Sequence, residues 1–391
     1  MSSALRGNWN YPTTIWAGPG RIAELAAACA RAGITRPLVV TDEGLIGAPM
    51  IRNALASLKD AALFGAVRGN PASSHVEAGL VAYRKGGHDG VVAFGGGSAL
   101  DAGKVVAFMS GQTRPLWDFE DVGDWWTRAD LAGIAPVVAV PTTAGTGSEV
   151  GRAGVILNEE THQKKIIFHP LMMPRVVIAD PELSVGLPRG VTAATGMDAF
   201  VHCFEAFCAP GFHPLADGVA LEGMRIIHRF LPRACANGKD IEARGQMLAA
   251  ASMGATAFQK GLGGVHAIAH PVGSWFNTHH GLTNAVVLPY VMAFNRDAIA
   301  DKADVIARVL DLPVRGFEGL LGWVLEFRRE LGIPHSLAEI GVSTGKADII
   351  GREAAIDPSA GGNPITLDAT ILERIFRAAV AGKLGAVGSG A

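Results

Sequence analysis

GHDGVVAFGGGSALDAGKVVAF, residues 87–108, joins an apolar run to a glycine run and then to helical spacing. A short apolar run at 91–94 suits a buried strand. Gly95, Gly96, Gly97 and Ser98 follow, and then residues with helical spacing. Glycines let a backbone approach a phosphate closely, and a helix start offers free N–H groups at the positive end of its dipole. The stretch is therefore either a pyrophosphate cradle between strand and helix or a tight turn, and it is not the G-x-G-x-x-G fingerprint. Asp101, three residues after Ser98, suits a cofactor contact or a capping box with that serine.

Further along, the apolar run APVVAVP (135–141) leads into Thr142, Thr143, Ala144, Gly145, Thr146, Gly147 and Ser148. A run of hydroxyls and glycines suits phosphate and ribose better than it suits a core. Earlier, RPLVVTDEGL places Asp42 just past a buried strand. A carboxylate there can accept the adenosine ribose hydroxyls and repel a 2′-phosphate, favouring NAD over NADP, or it can close an Asx turn. Short apolar runs alternate with helical patterns up to Pro188, which is βαβ logic. Beyond it, long amphipathic segments such as ADGVALEGMRIIHRFL take over. The expected organisation is an α/β dinucleotide-binding domain over residues 1–188 and an all-helical domain over 189–391, with the boundary near 187–192.

The helical half carries a second pattern. Asp198 and His202 stand four apart in TGMDAFVHCFEAF, so they leave one helix face a turn apart. His266 and His280 lie in GGVHAIAHPVGSWFNTHHGLTNAVVLPY. In one unbroken helix those imidazoles would stand roughly 21 Å apart, too far for one ion held at about 2.0–2.1 Å from each nitrogen. Pro271, Gly273 and Asn277 supply breakers through which the chain can fold back. One carboxylate and three imidazoles suit a borderline ion such as Fe(II) or Zn(II). Taken singly, Asp198 also suits the first turn of a helix capped by Thr195, and each histidine suits a core or surface place.

GGGSALDAGK, PTTAGTGSEV, GMDAFVHCFEAF and VHAIAHPVGSWFNTHHG together resemble the successive signatures of the iron-containing, or group III, alcohol dehydrogenases. The resemblance runs from about Tyr11 to about Leu384. It implies an α/β N-terminal domain plus an all-α C-terminal domain, the dehydroquinate synthase-like fold. By motif position it assigns the metal to Asp198, His202, His266 and His280. It assigns NAD to Asp42, Gly96, Gly97, Ser98, Asp101, Thr142, Thr143, Thr146 and Lys164, and it makes iron the expected ion. The chain departs from the usual pattern at Gly103, at Gly151-Arg152-Ala153 and in FQKGLGGVH, which is one residue short. His270, one turn after His266, is not needed as a ligand. It is expected to relay a proton between alkoxide and solvent, or else to pack beside the ligands.

Composition narrows the partners. The 391 residues are 49% hydrophobic and 18% charged with formal net charge −2, as in ordinary globular chains. No basic stripe suggests nucleic acid or an anionic membrane. The first residues show no charged start followed by an apolar core, and no apolar run is long enough to span a bilayer. Cys29, Cys203, Cys208 and Cys235 lack metal or disulfide spacing and fit a reducing cytoplasm. GKLGAVGSGA at the C-terminus looks frayed.

The expected activity is the metal-dependent, NAD-linked interconversion of a primary alcohol and its aldehyde, in a homodimer or higher homo-oligomer. The alternative on the same scaffold is a reductase of an anionic aldehyde or keto acid, of the maleylacetate-reductase or hydroxy-acid dehydrogenase kind. Lys260, six residues before His266, favours that alternative if it faces the substrate and is otherwise a solvated surface lysine. A dehydroquinate-synthase-like lyase would need a dense basic cluster near the ligands, which the helical half lacks. A nucleotide-sensing protein would show no turnover of NADH with any alcohol or aldehyde.

Overall fold

Valine-rich runs form the centre of the first unit, residues Met1–Gly186. A computed structural model describes residues 7–9 and 13–388. Tyr11 and residues 389–391 of the GKLGAVGSGA stretch lie outside the described residues. Among the described residues, nine strands run in chain order: β1 (Gly7–Trp9), β2 (Thr14–Ala17), β3 (Pro37–Asp42), β4 (Ala62–Val67), β5 (Gly90–Gly95), β6 (Val137–Pro141), β7 (Ala153–Asn158), β8 (Gln163–Phe168) and β9 (Val176–Ala179). Seven form one sheet in the order β1-β2-β9-β6-β5-β3-β4, parallel except for β1 against β2, while β7 and β8 make a separate antiparallel hairpin. Four helices accompany them: α1 (Leu25–Ala32), α2 (Pro49–Ser57), α3 (Ser73–Gly86) and α4 (Gly97–Met109).

Val91, Val92, Ala93 and Phe94 of β5 are wholly buried, as expected of a parallel strand covered on both faces. Phe94 joins Val39, Val138, Val140, Val176 and Ile178 in the core beneath α1 and α2. The chain moves outward from β3 to β4 in one direction and from β5 to β6 in the other. That makes the carboxyl ends of β3 and β5 a topological switch point, the usual ligand crevice of such sheets. Gly103 has a packing reason: a Cβ there would stand 2.7 Å from Ala93 Cβ, so α4 lies on β5 only because position 103 has no side chain.

The second unit, Leu187–Ala391, contains no strand among its described residues. Its helices are α5 (Arg189–Cys208), α6 (Pro214–Ala236), α7 (Ile241–Ala257), α8 (Gly264–Phe276), α9 (His280–Phe294), α10 (Ala300–Val309), α11 (Gly316–Leu331), α12 (Ala347–Ile356) and α13 (Ala369–Ala381). α5 is buried at every residue from Thr192 to Cys208, so it is the axis of this unit rather than an amphipathic surface helix. α6, α7 and α9 pack around it. No helix among the described residues is long and apolar enough to cross a membrane.

Candidate metal centre and dinucleotide loops

Helix α5 begins at Arg189, well before Thr195, whose hydroxyl donates to the Val191 carbonyl at 2.9 Å inside the helix. Thr195 is therefore no cap, and Asp198 and His202 stand mid-helix, both buried. The chain does fold back after His266, but not at Pro271. α8 runs through that proline and ends at Asn277, which takes the left-handed conformation (φ 50°), and α9 starts at His280. Asparagine tolerates that conformation better than most residues. The fold-back puts one ligand atom each of Asp198, His202 and His266 within 4.8 Å of one another. His280 Nε2 lies 3.7 Å from Asp198 Oδ1. All four predicted ligand residues are thus neighbours.

Asn284, one turn after His280, reaches into the cluster. Its Nδ2 lies 2.7 Å from Asp198 Oδ1, 3.1 Å from His266 Nε2 and 3.1 Å from His280 Nε2. An amide has two N–H hydrogens, so one carboxylate oxygen and two imidazole nitrogens converge on a group that can donate to only two of them. The Asn284 Oδ1 is buried without a hydrogen-bond partner. Surplus acceptors around a buried point, one anionic and the others imidazole nitrogens, fit a divalent cation.

The surroundings complete the electrostatics. His266 Nδ1 lies 2.6 Å from Glu205 Oε2, both groups being buried. Burial works against a charged ring at His266, but the Glu205 carboxylate, with Asp198 and Asp357 behind it, raises the pKa above its ordinary value. His270 Nδ1 lies 2.8 Å from Asp357 Oδ2. Its ring stacks on His280 with centroids 5.4 Å apart and planes at 13°. Burial alone would raise the Asp357 pKa, yet His270 and the Ser359 backbone and hydroxyl hold it below the usual carboxylate range.

Lys260 is neither solvated nor free. Its side chain is 3% exposed and its ammonium meets Asp217 Oδ1 at 2.5 Å and the Phe207 carbonyl at 3.3 Å. Lys302 donates to the Phe207, Cys208 and Ala209 carbonyls. Both lysines serve the C-terminal end of α5, where cations offset the helix dipole.

In the sheet unit, three loops meet at the carboxyl ends of β3, β5 and β6. A Cβ on Gly95 (φ 152°) would come within 3.0 Å of Asp42 Oδ2, and one on Gly97 within 2.5 Å of Thr146 Cγ2. Gly96 lies against Thr143, and the Thr142 N–H donates to the Gly95 carbonyl at 2.9 Å. Asp42, the glycine run and the threonine run are therefore brought together. Helix α4 has Gly96 as its N-cap with no side-chain cap, so Ser98 and Asp101 form no capping box. Asp101 instead accepts from the Ser148 hydroxyl at 2.5 Å and from the Val155 N–H at 3.0 Å, and it pairs with buried Lys104 at 3.2 Å. Burial raises the Asp42 pKa, with the Gly44 and Leu45 N–H groups working against the shift. A half-buried carboxylate of this kind gains from further donors such as ribose hydroxyls. Lys164 stands apart from these loops in the chain, on β8 opposite Leu157 of the hairpin.

Residues 12–181 match the iron-containing alcohol dehydrogenase family, and residues 192–380 match the C-terminal domain of the Fe-containing alcohol dehydrogenases. The chain is 37% identical to the 4-hydroxybutyrate dehydrogenase of Cupriavidus necator, over 94% of this chain and 98% of that one. It is 33% identical to the NAD-dependent methanol dehydrogenase of Bacillus methanolicus, over 91% and 95%. The crystal structure of a 1,3-propanediol oxidoreductase superposes with a TM-score of 0.87 at 33% identity, covering 93% of this chain and 96% of that one. The chain belongs to the iron-containing alcohol dehydrogenase family. It is an oxidoreductase that uses NAD and a divalent metal ion to interconvert an alcohol and its aldehyde.

Proposed function

We propose that Asp198, His202, His266 and His280 hold one divalent ion, Fe(II) before Zn(II), and that Asp42, Gly96, Gly97, Ser98, Asp101, Thr142, Thr143, Thr146 and Lys164 bind NAD. The observation that carries the metal assignment is the convergence of Asp198 Oδ1, His266 Nε2 and His280 Nε2 on the single amide nitrogen of Asn284. When bound, the ion supplies Lewis-acid polarisation of the substrate oxygen and the nicotinamide takes or returns the hydride. Asp198 brings one negative charge and the neutral imidazoles none, so their site keeps net positive character toward an alkoxide. His270, with Nδ1 turned to Asp357, has Nε2 left to take or return the substrate proton. The N-terminus of α4 and the threonine loop after β6 suit the pyrophosphate, and Asp42 suits the ribose.

The substrate we favour is an uncharged primary alcohol. Lys260 lends no support to an anionic aldehyde or keto acid, since its ammonium is already paired with Asp217, and the 37% identity to a 4-hydroxybutyrate dehydrogenase is what keeps such a substrate as the second reading. Four buried free thiols are in keeping with a reducing, cytoplasmic setting. Assembly as a homodimer or higher homo-oligomer goes with this reading and is measured by light scattering. The deciding experiment is metal analysis together with NADH oxidation over a panel of aldehydes, on protein reconstituted anaerobically with Fe(II). Turnover of short neutral aldehydes that disappears on chelation is expected. Equal turnover without metal would refute the assignment.

A further inference from the structure

Glu205 lies within GMDAFVHCFEAF but was given no role there, and it is the third functional group on the ligand face of α5, three residues after His202. It is 4% exposed. Its Oε2 lies 2.6 Å from His266 Nδ1, and its Oε1 accepts the Val265 backbone N–H at 2.7 Å. Gly263 makes the room: a Cβ there would stand 2.9 Å from Oε1. An ionised carboxylate only accepts, so the hydrogen shared with it must sit on His266 Nδ1. That leaves the Nε2 lone pair directed at the point where Asp198 and His280 also converge.

We propose that Glu205 is a positioning residue of the metal centre: it fixes His266 in the Nδ1–H tautomer and presents Nε2 to the ion. The inference rests on the metal reading above. It differs from a plain helix-capping role, in which Glu205 serves only the Val265 N–H at the start of α8. Glutamine separates the two. Its carbonyl can accept from Val265, but its NH2 then faces His266 Nδ1 and drives the ring hydrogen onto Nε2, the nitrogen needed by the metal. The reverse orientation sets donor against donor in a buried place, which is costly.

The test adds Co(II) to metal-free wild-type protein and to Glu205→Gln, reading d–d absorbance and competition with a chelator. NADH binding and thermal midpoint are recorded on the same samples. Weakening of Co(II) affinity by roughly ten- to hundredfold, with NADH binding and midpoint nearly unchanged, is expected. Equal affinity in the variant overturns the proposal while leaving the metal reading standing. Wild-type protein that takes up no Co(II) overturns both. Should the variant not fold, the ring-nitrogen NMR of metal-free wild-type protein decides, at a pH where His266 is neutral. A hydrogen on Nδ1 supports the assignment and a hydrogen on Nε2 overturns it.

Discussion

The imidazoles of His202 on α5 and His266 on α8 lie face to face, with centroids 4.7 Å apart and planes within 19° of parallel. Two charged rings would repel at that distance, whereas two neutral rings sharing one cation would not. His202→Ala, His266→Ala and His280→Ala should therefore each lose most bound metal and nearly all activity. Each should still bind NADH, whose proposed contacts lie in the other unit. Metal analysis of every purified variant, paired with NADH titration, is the check. His280 is the informative one, because its side chain is 25% exposed, and full metal retention in His280→Ala would remove it from the set.

The His270–Asp357 pair gives a pH-dependent expectation. His270→Ala should keep its metal and lose on the order of 10²-fold in kcat. The folded-state pKa of Asp357 lies below its reference of 3.8. A depressed carboxylate adds stability above the unfolded value and loses it as pH falls through the folded one. Asp357→Asn should thus lower the melting midpoint at pH 7 and narrow its difference from wild type below about pH 3.8. A deficit that stays constant with pH would show that the pair contributes no charge-linked stability.

The strands, the meeting of the glycine and threonine loops and the clustering of the residues proposed as ligands were legible because each depends on local pattern: apolar runs, glycine where backbones approach, one-turn spacing. Glu205, Asn284 and Asp357 were not. Glu205 meets His266 across 61 residues, Asn284 meets Asp198 across 86 and Asp357 meets His270 across 87, and only the one-turn spacing of Asn284 from His280 is a local sign. The fold-back was expected across Pro271 to Asn277. The proline is accommodated inside α8, and the turn falls on Asn277 because a left-handed residue stops a helix more sharply than a missing N–H does. Lys260 escaped both of its readings because its partner Asp217 comes from α6.

Cofactor choice tests the sheet unit separately. Asp42 ends β3 beside Gly95, and a 2′-phosphate near it would meet like charge at a cost of about 1–3 kcal/mol, or roughly ten- to hundredfold in preference for NAD. The neighbouring cation does not offset this, since Arg68 is paired with Glu43 at 3.0 Å. Comparison of kcat/KM for NADH and NADPH should show that preference, and Asp42→Gly should relax it. Equal values in wild type would remove Asp42 from the ribose site.

Gly281 connects packing to the metal centre. It follows His280 in the first turn of α9, where a Cβ would lie 2.5 Å from the Ala194 carbonyl oxygen and 2.9 Å from Asp198 Cβ. Neither atom can give way cheaply, since one is helix backbone and the other carries a proposed ligand. Gly281→Ala should therefore push the start of α9 off α5, separating His280 from Asp198. Overpacking of this kind costs about 1–3 kcal/mol, and metal affinity should fall with it. Gly322 is the control, an exposed position inside α11 with open space around its would-be Cβ. There alanine should stabilise by up to about 1 kcal/mol through helix propensity alone. Thermal midpoints of the metal-free proteins and metal content after reconstitution separate the two effects. A Gly281→Ala variant with wild-type midpoint and full metal would mean that α9 does not depend on this contact to place His280.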